Sequence, residues 1–247
     1  RFAKRQITWF KHQQESICID IFNEDAIILM NRMIEDKVLL DHIITDPPYN
    51  IARKNNFETM GRSSIDFGEW DKDFDQLSWI KYAYKLIKKG GSLIIFNDWK
   101  NIGEIAKYAE MVGFEIKDPI RWVKDNPIPR NRDRRYITDY EMAVWLVKPG
   151  AKWTFNRLNE TYDRPEYKYP VVAGHEKTGH PTQKSLELMK EILIRHTNEG
   201  ELIGDFFMGS GTTGKACIVT DRDFIGSEIN KEFFNIAEKT LNKTDIL

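Results

Sequence analysis

Asp205-Phe206-Phe207-Met208-Gly209-Ser210-Gly211-Thr212-Thr213-Gly214-Lys215-Ala216 (205–216) is the stretch that decides how this chain folds. It follows the apolar run ELIGDFF (201–207) and leads into a helical pattern over Thr212 to Val219. Two glycines between a strand end and a helix start let the backbone approach a ligand, with free N–H groups facing anionic oxygens. Seventeen residues after Gly211, the run FIGSEI (224–229) carries Glu228. In a doubly wound fold an acidic residue there holds two ribose hydroxyls, so both strand ends point to a nucleoside. The same letters satisfy GxxxxGK, the signature of a phosphate loop. Ala216 stands where that loop needs a magnesium-binding hydroxyl, so a P-loop nucleotide hydrolase remains only as an alternative.

Outward from this bend, short apolar runs alternate with amphipathic stretches. SICIDIF (16–22), VLLDHIIT (38–45), GSLIIFN (91–97), ELIGDFF and FIGSEI suit buried strands. Helical patterns cover Glu24 to Ile34, Gln76 to Lys88, Lys100 to Met111, Gln183 to His196 and Lys231 to Leu241. FEIKDPIRWVK (114–124) and YEMAVWLVK (140–148) have no long helix between them and predict an antiparallel pair at one edge. The expected fold is α/β: a doubly wound, mostly parallel seven-stranded sheet with an antiparallel edge. Residues 50–75 and 156–181 carry no periodicity and are longer than ordinary connections, which predicts function there.

The 247 residues hold 37 Lys+Arg against 38 Asp+Glu, a formal charge of −1, with 41% hydrophobic residues and two Cys. No apolar run reaches the roughly 18 to 20 residues of a membrane span, and RFAKRQITWFKHQQES (1–16) lacks the apolar core of a secretory signal. A cytoplasmic, membrane-free setting is expected, with Cys18 and Cys217 as free thiols. His175, Glu176 and His180 have neither Cys partners nor HExxH spacing, so no metal is expected. Near-neutral total charge leaves nucleic acid open, because placement of charge decides.

A second corner completes the pattern. Asp46-Pro47-Pro48-Tyr49 follows the strand LLDHIIT. Proline has no N–H, so this segment offers a carboxylate and carbonyls with few competing donors, a surface suited to an amino group. Tyr49 adds a π face. A purine amine clamped by the Asp46 side chain and Pro47 carbonyl, its ring on Tyr49, satisfies all four residues, and such a base must leave the duplex. This reading requires the two corners to end on neighbouring strand tips.

With DPPYN (46–50) at one end and DFFMGSGTTG (205–214) at the other, the chain resembles the S-adenosylmethionine-dependent DNA amino-methyltransferases. The DPPY form resembles the adenine-N6 branch, leaving cytosine N4 or RNA as the alternative. The order of motifs resembles the β class, and HPTQKS (180–185) resembles the motif that helps hold the methionine moiety. WVKDNPIPRNRDRRY (122–136) and DFGEW (66–70) are similar to the MboII type of restriction-modification enzyme. The family commonly has Pro after the Asp of the cofactor strand, where this chain has Phe206.

The resemblance implies a Rossmann-like class I methyltransferase fold in permuted order, as one domain over 1–247. Residues 16–124 would form the catalytic half, 125–179 the DNA-contacting and target-recognition segments, and 180–242 the cofactor half. It implies that Asp46, Pro47, Pro48 and Tyr49 carry the chemistry. Asp205, Gly209 and Gly211 would lie beneath the methionine part of S-adenosylmethionine, with Thr182, Lys184 and Thr212 as candidates for its carboxylate and Phe207 packed near the cofactor. Glu228 would take the ribose, and Asp20, read as the end of the first strand, the cofactor's adenine. Arg121, Lys124, Arg130, Arg132, Arg134 and Arg135 against Asp125 and Asp133 make a local charge of +4, which suits DNA phosphates. Arg164 and Lys168, in the irregular 156–179 stretch, extend that surface. Expected partners are double-stranded DNA, a cognate restriction endonuclease acting separately and, by analogy, a second copy of the chain.

Overall fold

The structure is a computed structural model that describes residues 17–50, 74–127, 133–134 and 136–242, the side chain of His175 excepted. The DFGEW loop and Arg130, Arg132 and Arg135 lie outside the described residues.

Among the described residues, eight strands form one sheet: β1 (Ile19–Phe22), β2 (His42–Thr45), β3 (Ser92–Asn97), β4 (Glu115–Val123), β5 (Tyr140–Val147), β6 (Glu166–Lys168), β7 (Leu202–Asp205) and β8 (Asp223–Ser227). Their order is β1-β8-β7-β2-β3-β5-β4-β6. All run parallel except β5, which is antiparallel to both β3 and β4. The helices are α1 (Ala26–Glu35), α2 (Ile80–Leu86), α3 (Trp99–Val112), α4 (Leu186–His196), α5 (Thr212–Val219) and α6 (Lys231–Asn242).

Strand periodicity of two builds the layers. Ile43, Leu93, Ile95, Val144 and Leu146 face one core with Leu29, Ile80 and Ile105 from α1 to α3. Ile44, Ile94, Ala143, Trp145 and Val147 face the other with Leu188, Ile192, Ala216 and Phe234 from α4 to α6. Fully burying an aliphatic or aromatic side chain contributes roughly 1.5–3 kcal/mol, so both faces of these strands must stay apolar. That is why the runs read as continuous rather than alternating.

Two expectations need correction. The sheet has eight strands, not seven, because Glu166–Lys168 adds β6 outside β4, and the antiparallel pair is therefore one strand in from the edge. Three residues with only Tyr167 buried are too short to show periodicity. Helix α2 begins at Ile80, not Gln76, because the Asp75 carboxylate takes the N–H groups of Leu77 and Ser78 (both 3.0 Å) in a tight turn. The turn leaves the Gln76 side chain free to reach elsewhere. Phe206 lies buried in the α1–α3 core, away from the bend that follows it.

Candidate active site

The register Ile43↔Gly204 makes β2 and β7 parallel neighbours, so the corner after Thr45 and the bend after Asp205 emerge side by side. From this pair the chain proceeds to β3 on one flank and to β8 on the other. Such a reversal of strand order opens a crevice at the carboxyl ends. Thr45 Oγ1 donates to Asp205 Oδ1 at 2.6 Å, tying the two tips together. The adjacency required by the sequence reading is present.

On the β7 side, Gly209 and Gly211 hold φ of 50° and 79°, the left-handed region that favours glycine. A Cβ on Gly211 would lie 3.1 Å from Ala237 Cα, and one on Gly209 3.0 Å from His180 Nε2. Glu228 reaches back, its Oε2 accepting from Gly209 N (3.0 Å) and its Oε1 from Asn230 N (2.8 Å). Burial pushes the Glu228 carboxyl up, against those backbone donors. Asp205 is buried beneath the bend and its carboxyl is pushed up to about 6 by burial, opposed by hydrogen bonds from Thr45 and Thr213. Ser210 and Thr212 are buried with hydroxyls 3.0 Å apart. Phe207 packs edge-on against Phe74 and Trp79, both centroids at 5.3 Å.

His180 closes this end, its ring 4.3 Å from that of Phe233 and its Nδ1 accepting from Thr182 N at 3.3 Å. Burial, then the Lys184 charge, pushes the imidazole down to about 4, so it is neutral. Asp20 is not at a strand end. It pairs with Ile225 inside β1, two residues before Phe22, so it stands about 7 Å back from the tip.

On the β2 side, the Asp46 carboxylate is engaged at both oxygens. Tyr49 OH donates to Oδ1 at 2.5 Å, and the buried Lys184 ammonium donates to Oδ2. Burial pushes the Asp46 carboxyl up, Lys184 pulls it down, and Glu141 pushes it up again. Lys184 was expected at a cofactor carboxylate; it stands instead in this corner, its Nζ also 3.1 Å from Glu141 Oε2. Glu141, at the start of β5, accepts from Lys124 Nζ at 2.6 Å. Its carboxyl is held down at about 2 despite burial, by Lys184 and then Lys124.

A chain of carboxamides fixes the backbone. Gln76 Nε2 donates to the Pro48 carbonyl (2.5 Å) and Asn101 Nδ2 to the Tyr49 carbonyl (2.9 Å). Asn97, ending β3, ties them together by donating to Gln76 Oε1 (2.9 Å) and accepting from Asn101 (2.7 Å). Among the described residues none donates to the Pro47 carbonyl. The sequence reading missed Gln76, Asn97, Asn101 and Glu141, and named His180 only as part of HPTQKS and in setting a metal aside. A polar residue ending the apolar run GSLIIFN was the one available signal, for Asn97.

The basic residues divide. Arg121 pairs with Glu166, which also meets Lys168 Nζ at 3.4 Å, and Lys124 is committed to Glu141. The expected +4 patch is thereby partly neutralised from within. Arg134 is exposed. The 156–179 stretch also divides. Trp122 Nε1 donates to the Tyr169 carbonyl and Asn126 Oδ1 accepts from Val171 N, which carries the part after β6 to the cleft end of the sheet. The part before β6 runs the other way: Asp163 pairs with Arg195 (2.6 Å), and Asn156 caps the Ile194 carbonyl (2.9 Å). Both contacts lie at the far end of α4, about 15 Å from its cleft end. Arg164 is therefore set back from the tips, and Lys168 is not.

An α/β sheet that reverses at paired tips, one bearing a nucleoside-type glycine bend and the other amine acceptors, defines an enzyme acting on an amino group. A DNA methylase family model, covering N6 and N4 methyltransferases, matches residues 40–239. The chain belongs to this family of DNA methylases. It is 31% identical over 237 residues to the type II methyltransferase M2.MboI of Moraxella bovis, covering 89% of this chain and 86% of that protein. It is 32% identical over 221 residues to the type II methyltransferase M2.DpnII of Streptococcus pneumoniae, covering 82% of each. The crystal structure of an M1.HpyAVI–SAM complex matches with 43% identity and a TM-score of 0.76, over 91% of this chain and 99% of that one. The PvuII cytosine-N4 DNA methyltransferase, 16% identical, shares the fold with a TM-score of 0.72, over 94% of this chain and 89% of that one. The family excludes the P-loop alternative. Among the described residues no helix is long and apolar enough to cross a membrane.

Proposed function

We propose that this chain is the methyltransferase of a type II restriction-modification system, transferring a methyl group from S-adenosylmethionine to N6 of an adenine flipped out of double-stranded DNA. The observation that carries this reading is the juxtaposition of the Asp46–Pro47 acceptors with the Gly209–Gly211 bend on neighbouring strands.

The residues present fit the cofactor. The left-handed bend lets the backbone approach a ligand closely, buried Asp205 stands beneath it, and the Glu228 carboxylate, next to the bend through Gly209 N, would take the ribose. Thr182 and Thr212 serve its carboxylate, Phe207 flanks it, and Asp20 serves its adenine from behind the tip. S-adenosylmethionine supplies a methyl already activated by its sulfonium, so no metal is needed.

The chain does the rest by positioning. The Asp46 carboxylate and Pro47 carbonyl accept the two amine hydrogens, which draws the nitrogen lone pair out of ring conjugation and aims it in line. Pro48 keeps the segment free of competing donors, and Tyr49 leaves Asp46 to stack on the base. Residues 125–179 form the DNA surface, with Arg121 and Lys168 near the tips and exposed Arg134 in the same segment, while Lys124, held by Glu141, contributes little. Arg130, Arg132 and Arg135 add positive charge to the same segment of sequence, and Arg164 contributes least. Residues 16–124 and 180–242 supply the catalytic and cofactor halves of one domain. The enzyme works in the cytoplasm, beside an endonuclease that recognises the same site, and a homodimer is the form analogy supports.

Incubation with tritiated S-adenosylmethionine and unmethylated double-stranded DNA, followed by nucleoside analysis, tests the reading. Label in N6-methyldeoxyadenosine is expected. Label in N4-methyldeoxycytidine, or only in RNA, would overturn it.

A further inference from the structure

Asp46 accepts from Tyr49 OH at Oδ1 and from Lys184 Nζ at Oδ2, and in the proposed reaction the target amine competes with them for the same carboxylate charge. Tyr49 can leave by stacking. Lys184 is 7% exposed, so its ammonium cannot retreat into water. Baring such a charge inside the protein is costly unless another anion receives it.

That anion is in place. Glu141 Oε2 is buried, accepts from no other group among the described residues, and already forms an ion pair with Lys184 Nζ at 3.1 Å. The other oxygen is pinned by Lys124 at 2.6 Å, which fixes the carboxylate while leaving Oε2 to Lys184. A buried, fixed carboxylate already paired with the buried cation can take more of it with only a small movement.

We propose that Glu141 is a positioning residue that receives the Lys184 ammonium when the target amine takes its place on Asp46. Resting on the methyltransferase reading above, this makes Lys184 a shuttle between two carboxylates: shared by Asp46 and Glu141 in the free enzyme, on Glu141 with a base in the cleft. No proton is transferred. The four groups, Asp46, Glu141, Lys124 and Lys184, stay neutral as a set throughout. Also facing them are Tyr49, Asp205 across the tips, Asp98 near Tyr49 and neutral His180 beside Lys184.

The test is Glu141→Gln in the full chain, compared with wild type in the methylation assay. A charge-assisted hydrogen bond is lost in the base-bound state, so kcat should fall about 10- to 100-fold, with cofactor affinity and KM for DNA little changed. Removing a negative neighbour eases ionisation of Asp46, so the acid limb of kcat/KM should move to lower pH. Glu141→Asp, which keeps the charge, should recover part of kcat. If Glu141→Gln does not fold, Glu141→Asp decides alone: one methylene shorter, it lowers kcat if the shuttle is real. Unchanged kcat and an unmoved acid limb in an active preparation would overturn the proposal. An inactive wild type would instead count against the methyltransferase reading.

Discussion

Thr45 Oγ1 donates to Asp205 Oδ1 at 2.6 Å, a hydrogen bond between residues 160 positions apart that locks the amine corner to the nucleoside bend. Thr45→Val removes the donor and keeps the shape. Leaving a buried carboxylate short of a partner costs roughly 1–3 kcal/mol. Urea denaturation should show that loss, with cofactor affinity reduced in step; an unchanged midpoint would mean the bond does not couple the tips.

Asp205 titrates near 6, above the ordinary carboxylate range, because it is buried. Its folded value exceeds the unfolded one, so its contribution to stability is present at acid pH and is lost as pH rises through about 6. Binding of a positively charged cofactor has the opposite sense and should weaken as pH falls through the same value. Calorimetric titration between pH 5 and 8 checks this, and Asp205→Asn should flatten the profile as well as lower affinity.

Asp46→Ala should reduce methyl transfer by on the order of 100-fold or more, since the lost acceptor acts on charge that develops in the transition state. Cofactor binding should persist, because the bend on β7 is untouched. Loss of both together would point to a collapsed cleft.

Gly211→Ala places a Cβ 3.1 Å from Ala237 in a residue held at φ 79°. The left-handed backbone alone costs about 1–2 kcal/mol. A lowered melting temperature with weaker cofactor binding is the expected pair of effects.

Lys168→Ala and Arg164→Ala should separate in a DNA-binding salt series. Lys168 is exposed on β6 near the cleft end and should reduce the salt slope by about one when removed. Arg164, set back along the sheet, should leave the slope unchanged.

The paired tips were legible because each is carried by a compact motif at the end of an apolar strand. Strands buried on both faces announce themselves by branched side chains, as in HIIT and SLIIFN. What escaped reading depends on distance in space. Nothing local marks Glu141 as the partner of Lys184, 43 residues later, or Gln76 as the donor to Pro48. Lys184 itself was noticed, but its motif suggested a cofactor carboxylate, whereas the fold delivers it to Asp46. Asp20 was misjudged by two residues because β1 extends past it to Phe22.

Ile19 lies beside Phe224, so the opening strand of this sheet is paired with its closing one. The sheet stays open, with β1 and β6 at its edges, but its first and last strands along the chain are neighbours in it. Joining the ends and cutting a surface loop elsewhere would leave every tip where it is, so the order in which the motifs occur along such chains is free to vary while the cleft is not.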